Sequence, residues 1–382
     1  MKADFFLHKI NEMGIQTIVG VPDSTLKQLC DEIQLDAGKN FRHYVTANEG
    51  AAVALASGEY LATDRPCCVY LQNSGIGNII NPVASIANRE VYGIPMLFVI
   101  GWRGEPGKKD EPQHAYQGKV TCKLLEVMDI PYSVIDSETT NEELDTILAN
   151  ADSHLSNEMQ YALVVKKDTF EKGSSFTWDN GYALVREQAL KTILEEVYED
   201  SYLISTTGKI SRELYEQSNQ LFGSHERLFM CVGGMGHASM IAYGMAQADK
   251  TKKIVCIDGD GALMMHMGSL AFIAKQAPEN YLHIVINNAS HESVGAMPTG
   301  FSGQTYAQIA KACGYPHVTT VHTKEELKTA LQKAKKMQKL SFIEVMVSLD
   351  SRKDLGRPLE SARENRIQFM NTCINQYKGD FK

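Results

Sequence analysis

Gly259-Asp260-Gly261 and Asn287-Asn288 are the residues whose types and spacing point most directly to chemistry. The triplet ends one apolar run, 25 residues (262–286) follow, and the asparagine pair ends the next run. Gly261 lets the backbone approach a diphosphate, and the N–H groups of Gly261 and Ala262 would open a helix containing 264–275, a geometry that binds anions. Asp260 would then hold a divalent cation. Mg2+ prefers six oxygen ligands, so two diphosphate oxygens, the Asp260 carboxylate, the Asn288 amide oxygen, a backbone carbonyl near Ser290 and a water would complete its shell. The plain alternative is a Gly-Asp-Gly turn and an Asn-rich loop, each common alone. Their coincidence at matched strand ends is the more specific signal.

A rival lies upstream. Val232-Gly233-Gly234-Met235-Gly236-His237-Ala238-Ser239 follows a strand and opens a helix, with Asp258 at the end of the next strand. That imitates a dinucleotide fingerprint and would make a nicotinamide-dependent dehydrogenase the second hypothesis, although Ser239 stands where the third small glycine belongs. The rival assigns no task to Asp260, Asn287 or Asn288.

Other candidates each carry two readings. Glu49, in Thr46-Ala47-Asn48-Glu49-Gly50-Ala51-Ala52, is either a first-turn acid favoured by the helix dipole or a proton-relay acid desolvated by alanine-rich packing. The loop from Gly101 to His114 holds Arg103, Lys108 and Lys109 and is either a solvated charge run or a substrate loop. The stretch from Asp350 to Pro358, with Arg352 and Arg357, has the same ambiguity. Asp23, in Gly20-Val21-Pro22-Asp23-Ser24-Thr25, is either a helix cap or a site residue at a strand end. His237, His266, His283 and His291 show neither HExxH spacing nor a cysteine pair, so zinc is not expected and all four are read as structural.

These residues need a scaffold. Apolar runs at 17–21, 42–47, 67–72, 96–100, 132–135 and 162–166 alternate with helix-length segments such as 51–62 and 140–155, as do runs at 202–205, 228–232, 253–257, 282–287, 318–321 and 341–347. The expected fold is α/β, with two doubly wound, mainly parallel six-stranded-sheet domains. We expect domain one at 1–167, a polar Gly/Ser-containing linker at 168–181, and domain two at 182–382, opening with a helix over 182–198. Ligands in such sheets sit outside the carboxyl ends of the strands.

With 382 residues, 43% of them hydrophobic, there is ample core for two or three domains, and a formal charge of −8 disfavours a nucleic-acid partner. Two tracts free of Asp, Glu, Lys and Arg, 66–88 and 228–248, are long enough for a bilayer, but their Asn, Gln, Gly and His groups argue for an interface or a site instead. No export signal is visible at the N-terminus. Eight cysteines without a CxxC pair read as reduced thiols, so the cytoplasm is the expected location.

The GDG, spacer and NN pattern in the second half, together with an acid like Glu49 in the first, resembles the thiamine diphosphate-dependent 2-oxo acid decarboxylases. VGVPDSTLK, NEGAAVALASGEYLAT, QNSGIGNIINPVASI, GWRGEPGKKDEPQH, GGMGHAS and DLGRP resemble the compact branch of that family, which lacks a middle domain. Leu359-Glu360-Ser361-Ala362 departs from the run of threonines expected after Arg357-Pro358. The resemblance implies a thiamine diphosphate-binding fold with a pyrimidine domain and a diphosphate domain, and thiamine diphosphate with Mg2+ as cofactors. It implies that Glu49 hydrogen-bonds the aminopyrimidine, that the Gly233 carbonyl holds its amino group, and that Met235 wedges beneath the cofactor. Gly259, Gly261 and Ala262 would line the diphosphate, while Asp260, Asn288 and the Ser290 carbonyl hold the metal. Asp23 and His114 would manage protons around the substrate.

The implied substrate is a small 2-oxo acid with a second anionic group, 3-phosphonopyruvate first and sulfopyruvate as the alternative. Arg103, Lys108 and Lys109, then Arg352 and Arg357, are the cations expected to meet that group. The resemblance also implies active sites shared between subunits, hence a homodimer or higher homo-oligomer. A third hypothesis is a non-catalytic binding protein that keeps the cofactor for structure.

Overall fold

A computed structural model describes residues 1–36, 38–110, 112–292, 296–301, 305–349 and 351–379. Asp350 and Glu111, in the two charged loops, lie outside the described residues. The chain forms two compact units, residues 1–178 with 291–300, and residues 179–290 with 301–382.

In the first unit the apolar runs become β1 (Thr17–Gly20), β2 (Arg42–Val45), β3 (Cys67–Gln72), β4 (Met96–Gly101), β5 (Tyr132–Ile135) and β6 (Tyr161–Val165). They pair in the order β2-β1-β3-β4-β6-β5, every neighbour parallel. All six residues of β4 are buried, as a strand covered on both faces requires, whereas the edge strand β2 alternates toward solvent. Phe6, Ile10, Leu29 and Leu163 fill the core on one side of the sheet, and Val53, Ile79, Phe98 and Leu125 fill it on the other.

The second unit contains β7 (Ser201–Ser205), β8 (Leu228–Met230), β9 (Lys253–Gly259) and β10 (Tyr281–Asn287). β13 (His317–Val321) and β14 (Ser341–Met346) complete its sheet, and elsewhere a separate two-stranded ladder pairs β11 (Ser290–His291) with β12 (Met297–Pro298). The sheet order is β13-β14-β10-β9-β7-β8, again all parallel. Counted within each sheet from the N-terminus, both orders read 2-1-3-4-6-5. The expected pair of six-stranded α/β sheets is therefore present, and the two share one topology. In each, the strand order reverses between the first and third strands, which opens a crevice at their carboxyl ends.

Two expectations need correction. The helix expected through 264–275 is two helices, Asp260–Met265 and Ser269–Gln276. Between them Ser269 N–H bonds to the His266 carbonyl and Leu270 N–H to the Met267 carbonyl, three residues back rather than four. Gly268 has little helical preference with which to resist that turn. The helix expected from 182 begins at Arg186. Just before it, the Leu184 carbonyl accepts a hydrogen bond from Ser348 N–H, so that stretch is extended along the end of β14 instead.

Candidate active site

In the second unit, Asp260 follows β9 directly, at the crevice beside β7. Gly259 caps a six-residue helix that Asp260 opens. Its carboxyl group is 4% exposed, and burial pushes its pKa up to about 7 despite the nearby N–H groups of Gly261, Ser290 and Ala289. Oδ2 of Asp260 is buried with no hydrogen-bond partner. A buried carboxylate oxygen left this way is costly, and a cation is the group that would satisfy it.

The asparagine pair divides its labour. Asn287 donates from Nδ2 to Oε1 of Glu344 (2.7 Å), and its Oδ1 accepts from Ala289 N–H (2.9 Å). Ala289 adopts φ 55°, the left-handed conformation, so the chain turns sharply here. Asn288 precedes the Ala289 and Ser290 N–H groups that reach the Asp260 carboxyl group, with its Oδ1 accepting from Ser290 N–H at 3.1 Å and its carbonyl held by Asn180 Nδ2 at 2.9 Å. Glu344, fully buried in β14, also accepts from Tyr306 N–H (3.0 Å) and Ala307 N–H (3.1 Å). It anchors the corner, and sequence reasoning missed it; the signal was an acid inside the apolar run 341–347.

The turn after β8 reaches the same helix. Gly234 and Gly236 have φ 57° and 90°. A Cβ on Gly236 would lie 2.8 Å from the Ala262 carbonyl oxygen, so glycine lets this turn close on the Asp260 helix. Gly233 and Met235, both half-buried, sit in that turn. His237 and His266 stack across it with ring centroids 4.2 Å apart. The dinucleotide rival loses ground here. β8 is the edge strand, away from the crevice, and Asp258 is fully buried with Oδ1 accepting from Gly259 N–H (3.0 Å), not turned toward a ribose.

Arg352 is bound within a carboxylate network in this unit, Nε to Glu187 at 2.7 Å, with Glu216 and Asp354 on its other nitrogens. Arg357 is exposed.

In the first unit, Asn48 caps the helix Glu49–Thr63 through its side chain to Ala51 N–H (2.9 Å), which places Glu49 in the first turn. Glu49 is also 4% exposed, so it is at once a first-turn acid and a desolvated one. Burial raises its pKa, and the hydrogen bond from Asn78 Nδ2 to Oε2 (2.7 Å) offsets part of that. A Cβ on Gly75 would stand 2.3 Å from Oε1, so the carboxyl group packs against bare backbone. Asn78 and Gly75 come from the uncharged tract 66–88, whose polar residues were the available signal.

Asp23 lies at the crevice between β1 and β3 and is fully buried. Its Oδ2 accepts from Thr25 N–H (2.9 Å) and Leu26 N–H (3.2 Å), so it does cap the local turn; its Oδ1 accepts from the Gln72 amide at the end of β3. Burial raises its pKa, opposed by Gln72 and the Arg103 charge. Gly101 at the end of β4 leaves room for this carboxyl group, since a Cβ there would stand 2.0 Å from Oδ2.

Arg103 joins the same cluster. Its guanidinium makes a two-pronged bond to Asp110, Nε to Oδ2 at 2.8 Å and Nη2 to Oδ1 at 2.5 Å, while Nη1 donates to Ser24 Oγ at 3.0 Å. Asn73 grips its main chain on both sides, accepting from the N–H (3.1 Å) and donating to the carbonyl (2.8 Å). His114, half-buried, lies in the first turn of the helix Pro112–Val127, where a Cβ on Gly104 would strike its carbonyl oxygen at 1.8 Å. Lys108 and Lys109 are exposed at the loop tip. The fold thus gathers Asp23, Gln72, Arg103 and Asp110, and leaves the two lysines in solvent. Gln72 and Asp110 were not among the sequence candidates.

Comparison with known proteins agrees with this division. Residues 2–125 match the description "Thiamine pyrophosphate enzyme, N-terminal TPP binding domain", and residues 213–345 match its C-terminal TPP binding domain. The chain is 32% identical over 374 residues to a phosphonopyruvate decarboxylase of Streptomyces viridochromogenes, covering 94% of this chain and 91% of that protein. It is 31% identical over 384 residues to one from Streptomyces hygroscopicus, covering 97% and 93%. Similarity to a sulfopyruvate decarboxylase of Methanosarcina acetivorans is 27% over 361 residues, covering 88% and 89%.

Proposed function

The chain belongs to the thiamine pyrophosphate enzymes, and from that premise we propose that it is a carboxy-lyase that decarboxylates 3-phosphonopyruvate to phosphonoacetaldehyde and CO2. Asp260 carries the reading: a buried carboxylate oxygen without a partner, at the carboxyl end of β9, on a carboxyl group that the Ala289 and Ser290 N–H groups reach, fits a divalent cation better than it fits any protein group nearby. Asp260, Asn288 and the Ser290 carbonyl would hold Mg2+, whose preference for oxygen matches that donor set. Gly259, Gly261 and Ala262 offer backbone to the diphosphate, and Gly233 and Met235 offer a carbonyl and an apolar wedge to the ring.

Thiamine pyrophosphate, when bound, supplies the sink for the electron pair that departing CO2 leaves on the carbonyl carbon. The chain's own residues handle protons and the second anion. Glu49, desolvated and raised in pKa, is suited to share a proton with the aminopyrimidine ring. Asp23, whose pKa burial also raises, would manage protons around the substrate together with His114. Arg103 would meet the phosphonate, with Asp110 as the carboxylate it releases; Lys108 and Lys109 would lend charge from the loop, and Arg352 and Arg357 rank below them.

We further propose a homodimer or higher homo-oligomer, in the cytoplasm, where all eight cysteines stay reduced. No helix among the described residues is long and apolar enough to cross a membrane. Turnover of phosphonopyruvate, sulfopyruvate and pyruvate, each with Mg2+ and thiamine pyrophosphate, tests the assignment. The reading requires phosphonopyruvate to have the highest kcat/KM and phosphonoacetaldehyde to be the product. Preference for sulfopyruvate would transfer the assignment to the alternative substrate, and no dependence on the cofactor would end it. Mixing Glu49→Gln with Asp260→Ala subunits tests the shared site, because activity should return only if the two carboxyl groups act across subunits.

A further inference from the structure

β9 and β10 are parallel neighbours, and their register sets Cys256 opposite His283. Asp258 lies two residues beyond Cys256, so the pleat returns it to the same face. One ligand atom from each of these three side chains lies within 4.8 Å of the other two, and all three residues are buried. Among the described residues they are the one group of this kind. Asp258 Oδ2 and both ring nitrogens of His283 have no hydrogen-bond partner. The nearest approach between them, His283 Nε2 to Asp258 Oδ2, is 3.7 Å, too long for a hydrogen bond. Such orphaned groups in a buried position call for an explanation.

We propose that Cys256, Asp258 and His283 form a buried site for a borderline-soft divalent cation, with Zn2+ the best fit. Thiolate, imidazole and carboxylate are zinc's three usual donors, and bonds of about 2.0–2.3 Å place tetrahedral neighbours roughly 3.3–3.8 Å apart. The 3.7 Å separation falls in that range, and the other pairs, within 4.8 Å, would have to close by up to about 1.0–1.5 Å through side-chain rotation as the cation binds. Charge balances: a dication with one thiolate and one carboxylate is neutral, and the cation displaces the thiol proton as it binds. The imidazole is already oriented, because Tyr281 and Phe342 meet it edge-on with centroids 5.9 and 5.1 Å away. A cation here would tie β9 to β10 directly beneath Asp260 and the asparagine corner, holding the two strand ends that present them. It is separate from the Mg2+ site, whose donors are all oxygens. Linear sequence patterns do not expose it, since its ligands come from adjacent strands rather than from one local motif. A direct contact between His283 and Asp258 is the metal-free account.

The test uses the whole protein, produced with zinc and dialysed against EDTA in the absence of thiamine pyrophosphate, followed by elemental analysis. The expected result is about one zinc per chain retained. Cys256→Ser should reduce it at least tenfold, whereas Asp260→Ala, which disables the magnesium site, should leave it in place. Wild-type protein refolded with Co2+ gives a second readout, a thiolate-to-cobalt charge-transfer band that oxygen ligands cannot produce. This works even if the serine variant fails to fold. Absence of both retained zinc and that band overturns the proposal in favour of a metal-free His283–Asp258 contact, and zinc retained undiminished in Cys256→Ser overturns it as well.

Discussion

Replacing Asp260 by asparagine keeps the side chain's shape and removes its charge. The wild-type carboxyl group has its pKa raised by burial to about 7 from an ordinary 3.8. At about 1.4 kcal/mol per pH unit, ionising it in the metal-free protein costs about 4 kcal/mol at pH 8. A carboxyl group whose folded pKa exceeds its unfolded one holds its proton more tightly when folded. Metal-free stability is therefore greatest below about pH 4, falls as the pH rises toward 7, and then levels off. Asparagine escapes that cost but places an amide nitrogen where Oδ2 has no partner, a loss of about 1–3 kcal/mol. Without Mg2+ or cofactor at pH 8, Asp260→Asn should thus be more stable than wild type by about 1–3 kcal/mol. At pH 5 the wild-type cost drops to about 1.6 kcal/mol, and the two proteins should draw level. With Mg2+ and thiamine pyrophosphate at about one thousand times Kd, wild type should gain about 4.1 kcal/mol and the variant nothing, so the order reverses. Urea titrations at both pH values, with and without ligands, read all of this. A variant less stable than wild type in the metal-free comparison at pH 8, or one that gains equally from the ligands, would refute the argument that Asp260 is held for a cation.

Three further outcomes follow from the geometry. Glu49→Gln should lower kcat by orders of magnitude while circular dichroism stays native, because the amide keeps the packing against Gly75 but cannot relay a proton; an unchanged kcat removes Glu49 from catalysis. Arg103→Ala should raise KM for phosphonopyruvate more than for pyruvate, and equal changes in steady-state kinetics would take Arg103 out of the anion site. Gly101→Ala sets a methyl group 2.0 Å from Asp23 Oδ2, so the carboxyl group must move; we expect about 1–3 kcal/mol lost in denaturant titrations together with reduced turnover. Full stability there would mean the buried carboxyl group has room to spare.

What the linear chain determined by itself was whatever depends on neighbours along it. Continuous apolar runs between helix-sized segments specify parallel strands, and all twelve main strands formed where such runs lie. Gly259-Asp260-Gly261 and Asn287-Asn288 were readable because each motif occupies a strand end, whose position the apolar runs already mark. Tertiary structure decided which side chains meet. Glu344 reaches Asn287 because β14 lies beside β10, Gln72 reaches Asp23 because β3 lies beside β1, and Cys256 faces His283 only in the register that β9 and β10 adopt. Arg103 illustrates the same point within a loop: the sequence marks a cation, but only the folded turn gives it Asp110 and Ser24 as partners. Propensity and periodicity act over a few residues, whereas strand order and register join residues tens of positions apart, so the second kind of information exists only once the sheet has closed.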